Sequence, residues 1–215
     1  MVRSGLMTLR AATVMVSAAV MAAAVGGPWR APAQEPNQAP RSTEQMETGR
    51  VRLPSGAEIV YRIRLLPLTS FPAMPPAVSA QLNERNCMVP QTYEARAPEN
   101  VVHASLERKG SDDWAVLCSV NGSTTLYVFF QSKLSVPIAL RRQRDTEWLG
   151  SEVVGAYGSA WGIARRGPSQ IRATKGGASS HNGFDHDGID DAFVEKSSTT
   201  HYFEDGNWIV LDNSN

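Results

Sequence analysis

Four aspartates crowd into seven residues of the run Phe184-Asp185-His186-Asp187-Gly188-Ile189-Asp190-Asp191. Side chains of this type at this spacing have three outlets. They can surround a hard cation such as calcium, which takes about six to eight oxygens at about 2.3–2.6 Å, with the glycine allowing the sharp turn. They can pair with arginine, or point into water as an Asp-Gly turn. They cannot crowd together unscreened, because two carboxylates about 5 Å apart repel by roughly 0.8 kcal/mol in bulk water and by more at lower dielectric. The cation alternative has a definite form. Asp185, Asp187 and Asp191 converge on one calcium, backbone carbonyls complete the cage, and Asp190 points away or ligates through water. A transition metal on His181 or His186 is a weaker match, since histidines five apart fit no standard zinc spacing.

Other chemistry is sparse. Gly158-Ser159-Ala160-Trp161-Gly162 lacks the G-x-S-x-G spacing of a nucleophile elbow. Lys175-Gly176-Gly177 lacks the upstream glycines of a phosphate loop. Catalytic residues are therefore none by motif, although paired acids can still meet in space from distant segments.

The N-terminus has Arg3 and Arg10, no acid before Glu35, an apolar run from Ala11 to Val25, and Ala31-Pro32-Ala33 before Gln34. These are the three parts of a cleavable signal peptide over residues 1–33. The apolar run falls short of the roughly 20 residues of a membrane span. No span is expected after cleavage, and the chain is expected to be periplasmic or secreted. Of its 21 basic and 21 acidic residues, the leader removes three arginines and leaves a formal −3. That balance gives no electrostatic ground for nucleic acid. The pairs Arg141-Arg142 and Arg165-Arg166 read as solvated surface. Cys87 and Cys118 are the two cysteines, and two in an exported chain read as one disulfide.

Residues 34–49, rich in Pro, Gln and Glu, read as a disordered linker. Residues 50–215 then form one β-rich α+β domain of antiparallel hairpins with one short helix. Val51 to Leu65 alternates around Pro54-Ser55-Gly56, and Ala77 to Asn86 is helical behind Pro75-Pro76. Strands are expected over Val101 to Glu107, Asp113 to Val120 and Thr124 to Phe130, with Asn121-Gly122 as a hairpin turn. Gly150 to Gly177 gives no clear assignment. Three short strands close the chain, with Asp205-Gly206 before the last. Gly110 to Val116 echoes Gly188 to Val194, and each is followed by Ser-Thr-Thr-x-Tyr; a shared loop-strand-turn-strand unit would explain this.

The segment Asp185 to Asp191 resembles the calcium loop of FG-GAP-type repeats, with Asp185, Asp187 and Asp191 on three acidic places and Ala192-Phe193-Val194 on the strand. The first acidic place of that pattern is missing here. More broadly, Cys87 to Gln91, Asp112 to Ser119 and Asp187 to Phe193 resemble a group of uncharacterised exported bacterial proteins. That resemblance implies a common fold over about Phe71 to Leu211 and no activity. Two functions remain open: an exported module, calcium-stabilised or not, that binds a protein or glycan, and a small extracytoplasmic hydrolase with a site assembled from separate strands.

Overall fold

The computed structural model describes residues 43–153, 155–174 and 183–213. The leader, the linker up to residue 42 and His181 lie outside them. The chain runs as β1 (Gln45–Arg52), β2 (Glu58–Leu66), α1 (Pro76–Asn83), β3 (Val89–Pro90), β4 (Val101–Ala104), β5 (Asp113–Val120), β6 (Ser123–Phe129) and β7 (Ile138–Arg144). It continues as β8 (Leu149–Val153), β9 (Ala156–Ser159), β10 (Trp161–Arg166), α2 (Pro168–Arg172), β11 (Gly188–Phe193), β12 (Ser197–Glu204) and β13 (Asn207–Asp212). The expected class holds, with antiparallel hairpins dominant and one disulfide, but a second short helix, α2, joins the one expected.

Two four-stranded meanders, β4-β5-β6-β7 and β10-β11-β12-β13, form the centre. A third sheet has the order β1-β2-β9-β8, with β3 beside β2. The apolar inner faces of the two meanders close on each other, where Leu117, Leu126 and Val128 meet Trp161, Ile163 and Ile189. The other face of β5 and β6 carries Trp114, Val116, Cys118 and Phe129, covered by Val78 and Leu82 of α1. Strand β5 is thus enclosed on both faces, which is why Ala115 and Leu117 are as buried as the expected Trp114, Val116 and Cys118. Ile171 of α2 packs with Phe184 and Tyr202 on the outer side of the second meander. The layers are helix, sheet, sheet, helix.

The expected turns form. Asn121 and Gly122 both have positive φ (50° and 75°), as do Asp205 and Gly206 (49° and 81°), the backbone twist that two-residue hairpin loops need. Gly56, with φ of 86°, closes the first hairpin by donating its N–H to the Leu53 carbonyl at 2.8 Å. Cys87 and Cys118 are joined, with Cα atoms 5.2 Å apart, inside the range a disulfide accepts.

Order begins earlier than expected. Gln45 to Gly49, read above as linker, pair along β2 as the first half of β1. A half-solvated edge strand needs only alternate residues turned inward, so a polar segment suffices. Strand β4 stops at Ala104 rather than Glu107, because the Asp113 carboxylate takes the backbone N–H groups of Leu106 and Glu107, both at 2.7 Å.

Candidate functional site

The aspartate run forms a seam between the two meanders. Asp190 and Asp191 are neighbours in β11, so strand alternation sends them to opposite faces. Asp191 points inward, fully buried. It accepts from Arg141 of β7 at 2.8 Å, from the Trp161 indole at 2.7 Å and from His201 Nε2 at 2.8 Å. Arg141 also lies over Trp148 and Trp161, 4.3 Å and 5.5 Å from the ring centres, so one cation ties together two aromatic groups and one acid of the seam. Asp190 points outward and pairs with Arg166 at 3.2 Å. Asp187 precedes the strand. Its N–H donates to the Ser105 carbonyl at 2.9 Å, its carboxylate accepts from the Ser105 N–H at 3.1 Å, and Arg165 lies 2.9 Å away.

Asp185 departs from all of these. It is largely exposed and meets His186 Nδ1 at 2.8 Å. The same nitrogen lies 2.8 Å from the Tyr202 hydroxyl, while His186 Nε2 donates to the Phe203 carbonyl at 2.8 Å.

The convergence expected of Asp185, Asp187 and Asp191 is therefore not found. Among the described residues no three acids, histidines or cysteines gather as a metal-holding group. Three of the four carboxylates take the arginine outlet. Arg141, Arg165 and Arg166, read above as solvated surface, are their countercharges.

Electrostatics follow this geometry. Burial pushes Asp191 up, but hydrogen bonds from His201 and Arg141 and the nearby positive charge outweigh it, so its carboxyl sits below the ordinary value. Asp185 is held down chiefly by its hydrogen bond from His186.

The internal echo is real in topology and false in register. Asp113 and Asp191 both lie in the second strand of a meander. Ser119 of β5 pairs with Thr124, whereas Asp191 itself pairs with Thr199. Asp113 accordingly meets backbone donors, including the Gln131 N–H at 2.8 Å, and the Ser111 hydroxyl. Asp191 meets charges.

A second pair of acids escaped the sequence reading. Glu47 of β1 and Asp145, after β7, lie 98 positions apart and close enough to repel. Burial raises both above the ordinary carboxylate value, and the Asp145 charge adds to the shift of Glu47. Ser119 donates to one oxygen of Asp145, while the other is buried without a hydrogen bond. A cavity of about 190 Å³ beside them is lined in part by Glu47, Leu65, Ser119 and Gly122.

A cleft of about 620 Å³ lies between β2, β9 and the segment from Gln91 to Ala95. Strands β2 and β9 are parallel and paired at Tyr61 and Tyr157. Buried polar side chains brace the far wall. Gln91 accepts the Glu99 N–H at 2.9 Å, Asn100 donates to the Pro90 carbonyl at 2.7 Å, and Asn100 accepts the Ile163 N–H at 2.9 Å. Tyr93 rests on a glycine floor: a Cβ on Gly150 would lie 2.5 Å from its ring. Its hydroxyl is anchored to Glu195 at 3.0 Å. Arg62, Arg64, Val60 and Met46 form the opposite wall. The sequence signal was present in part, since Arg62 and Arg64 recur at alternate positions of a strand.

Comparison with known proteins yields no match to a protein-family model, to a curated protein or to a solved structure.

Proposed function

We propose that this chain is an exported binding module that takes a protein or glycan ligand in the cleft between β2, β9 and Gln91 to Ala95. The composition of that cleft carries the reading. Its lining among the described residues offers arginine, tyrosine, glutamine, threonine and apolar groups, with no acid, histidine or cysteine. Such walls recognise and orient, and they lack a side chain that exchanges protons near neutral pH. Rigid bracing of Tyr93 and Asn100 lowers the ordering cost of binding. Export rests on the three-part leader, and the Cys87–Cys118 bond suits an oxidising compartment. Among the described residues no helix is long and apolar enough to cross a membrane. Calcium is not needed to balance the seam, where arginines already face the acids.

The hydrolase alternative draws on one observation, the raised carboxyls of Glu47 and Asp145 beside a cavity, because a raised carboxyl is better suited to donate a proton. Two parallel assays separate the readings. The purified protein is screened on glycan and peptide arrays, and against chromogenic esters, glycosides and phosphoesters. The binding reading expects array ligands that are lost in Ala156→Trp, which fills the cleft, and no turnover. Turnover abolished by Glu47→Gln and by Asp145→Asn would overturn it in favour of hydrolysis.

A further inference from the structure

Resting on the reading of the cleft as a binding site, we propose that the outward face of the β1–β2 hairpin is a protein-recognition surface leading into it. The partner is an extended protein segment with carboxylates at alternate positions around an apolar residue.

Strand alternation builds the face. Strand β1 contributes Met46, Thr48, Arg50 and Arg52, and β2 contributes Glu58, Val60, Arg62 and Arg64. Register sets Met46 opposite Arg64 and Arg50 opposite Val60, so cations and apolar groups interleave. Met46 is 53% exposed and Val60 48%, and both continue into the cleft wall.

Charge is incompletely answered here. Arg50 pairs with Glu58 at 3.3 Å and Arg64 with Glu44 at 2.9 Å, both in solvent. Arg52 lies opposite Glu58 in register, but Glu58 pairs with Arg50, and among the described residues neither Arg52 nor Arg62 forms an ion pair. The face therefore keeps a positive surplus on a chain of formal charge +0. Edge protection alone would account for charges on β1, which ends its sheet. It does not account for Arg62 and Arg64, because β2 is interior to that sheet.

Residue types point to protein. Every cation on the face is arginine, set among exposed methionine and tyrosines that line the cleft, and those types are enriched in protein–protein contacts while lysine is depleted. Arginine also grips a carboxylate through two parallel hydrogen bonds. Along each strand the arginines recur every second residue, at about 6.6–6.8 Å, the spacing of same-side side chains on any extended segment. Exposed Met46 and Val60 call for an apolar group at the centre of the ligand, which an acidic polysaccharide does not supply.

Phage display of random peptides on the immobilised protein tests this, followed by titration of the selected peptide and of polygalacturonate. Enriched peptides should carry Asp or Glu at alternate positions about an apolar residue. Their affinity should fall at least tenfold in the double variant Arg52→Glu/Arg62→Glu and should weaken as salt rises, with the near-ultraviolet circular dichroism of the variant unchanged. Neutral or basic peptides, or acidic peptides indifferent to the charge reversal, would overturn the proposal. So would polygalacturonate binding with no peptide enriched. A selected peptide lost in Ala156→Trp yet indifferent to the arginine reversal removes this proposal and leaves the cleft reading in place. Chromogenic turnover without peptide or glycan binding removes both.

Discussion

The aspartate seam and the β1–β2 hairpin face are both dense in charge, and they differ in where the countercharge comes from. In the seam, Asp187, Asp190 and Asp191 each meet an arginine from another part of the fold. On the hairpin, two arginine pairs sit in solvent and two further arginines form no ion pair among the described residues. Charge matched internally holds elements together, whereas charge left facing water is available to a partner. A concentration of one residue type therefore does not by itself locate function; the geometry of its partners does.

The largest expected break in this comparison is on the seam. Asp191→Asn leaves Arg141 and His201 facing an uncharged amide in a buried place, and removing one partner of a buried pair costs about 3–5 kcal/mol. Because Arg141 remains partly exposed, about 3 kcal/mol is expected in urea unfolding, with selected-peptide affinity unchanged after refolding.

This seam was half legible in the sequence. Four aspartates in one run announced a charge problem, and arginine was among its solutions. Which solution holds depends on Arg141, 50 positions away from Asp191, and no local pattern reports such a pairing. Turns were readable because Asn121-Gly122 and Asp205-Gly206 carry their backbone requirement in their residue types. Strands β8 to β10 were not. Gly150 and Gly158 are there because Tyr93 lies against them, and a glycine required by tertiary contact looks locally like a loop. The first half of β1, Gln45 to Gly49, was lost to its polar composition. Of the cleft only the Arg62 and Arg64 wall left a trace in the sequence, because the rest is assembled from β9 and Gln91 to Ala95, distant segments with no shared motif.

Acid titration sharpens the contrast between two buried aspartates. The carboxyl of Asp191 is lowered in the folded protein, so its contribution is present above the ordinary value of 3.8 and is lost as pH falls through the folded value. That of Asp145 is raised, so its contribution is present below 3.8 and is lost as pH rises through the folded value. Asp145→Asn should therefore stabilise the protein at neutral pH, with the advantage closing on acidification. Chemical denaturation at a series of pH values checks this, and a variant less stable than the wild type at neutral pH would refute it.

Smaller effects follow at the margins of the seam. Arg165 is 62% exposed in its pair with Asp187, so Arg165→Ala should cost less than about 1 kcal/mol and should lose even that in high salt. Thermal melts with millimolar calcium and with chelator should coincide, because arginines already offset three of the four aspartates. A calcium-dependent rise in midpoint that disappears in Asp185→Asn or Asp187→Asn would instead assign the run to a cation.

The most direct measurement is equilibrium urea unfolding of the wild type, Asp191→Asn and Arg62→Glu side by side at neutral pH. If the seam is structural and the hairpin face is free, Asp191→Asn loses about 3 kcal/mol, while Arg62→Glu stays within about 0.5 kcal/mol of wild type as an ordinary surface change. Equal losses in the two variants, or a larger loss in Arg62→Glu, would contradict the account.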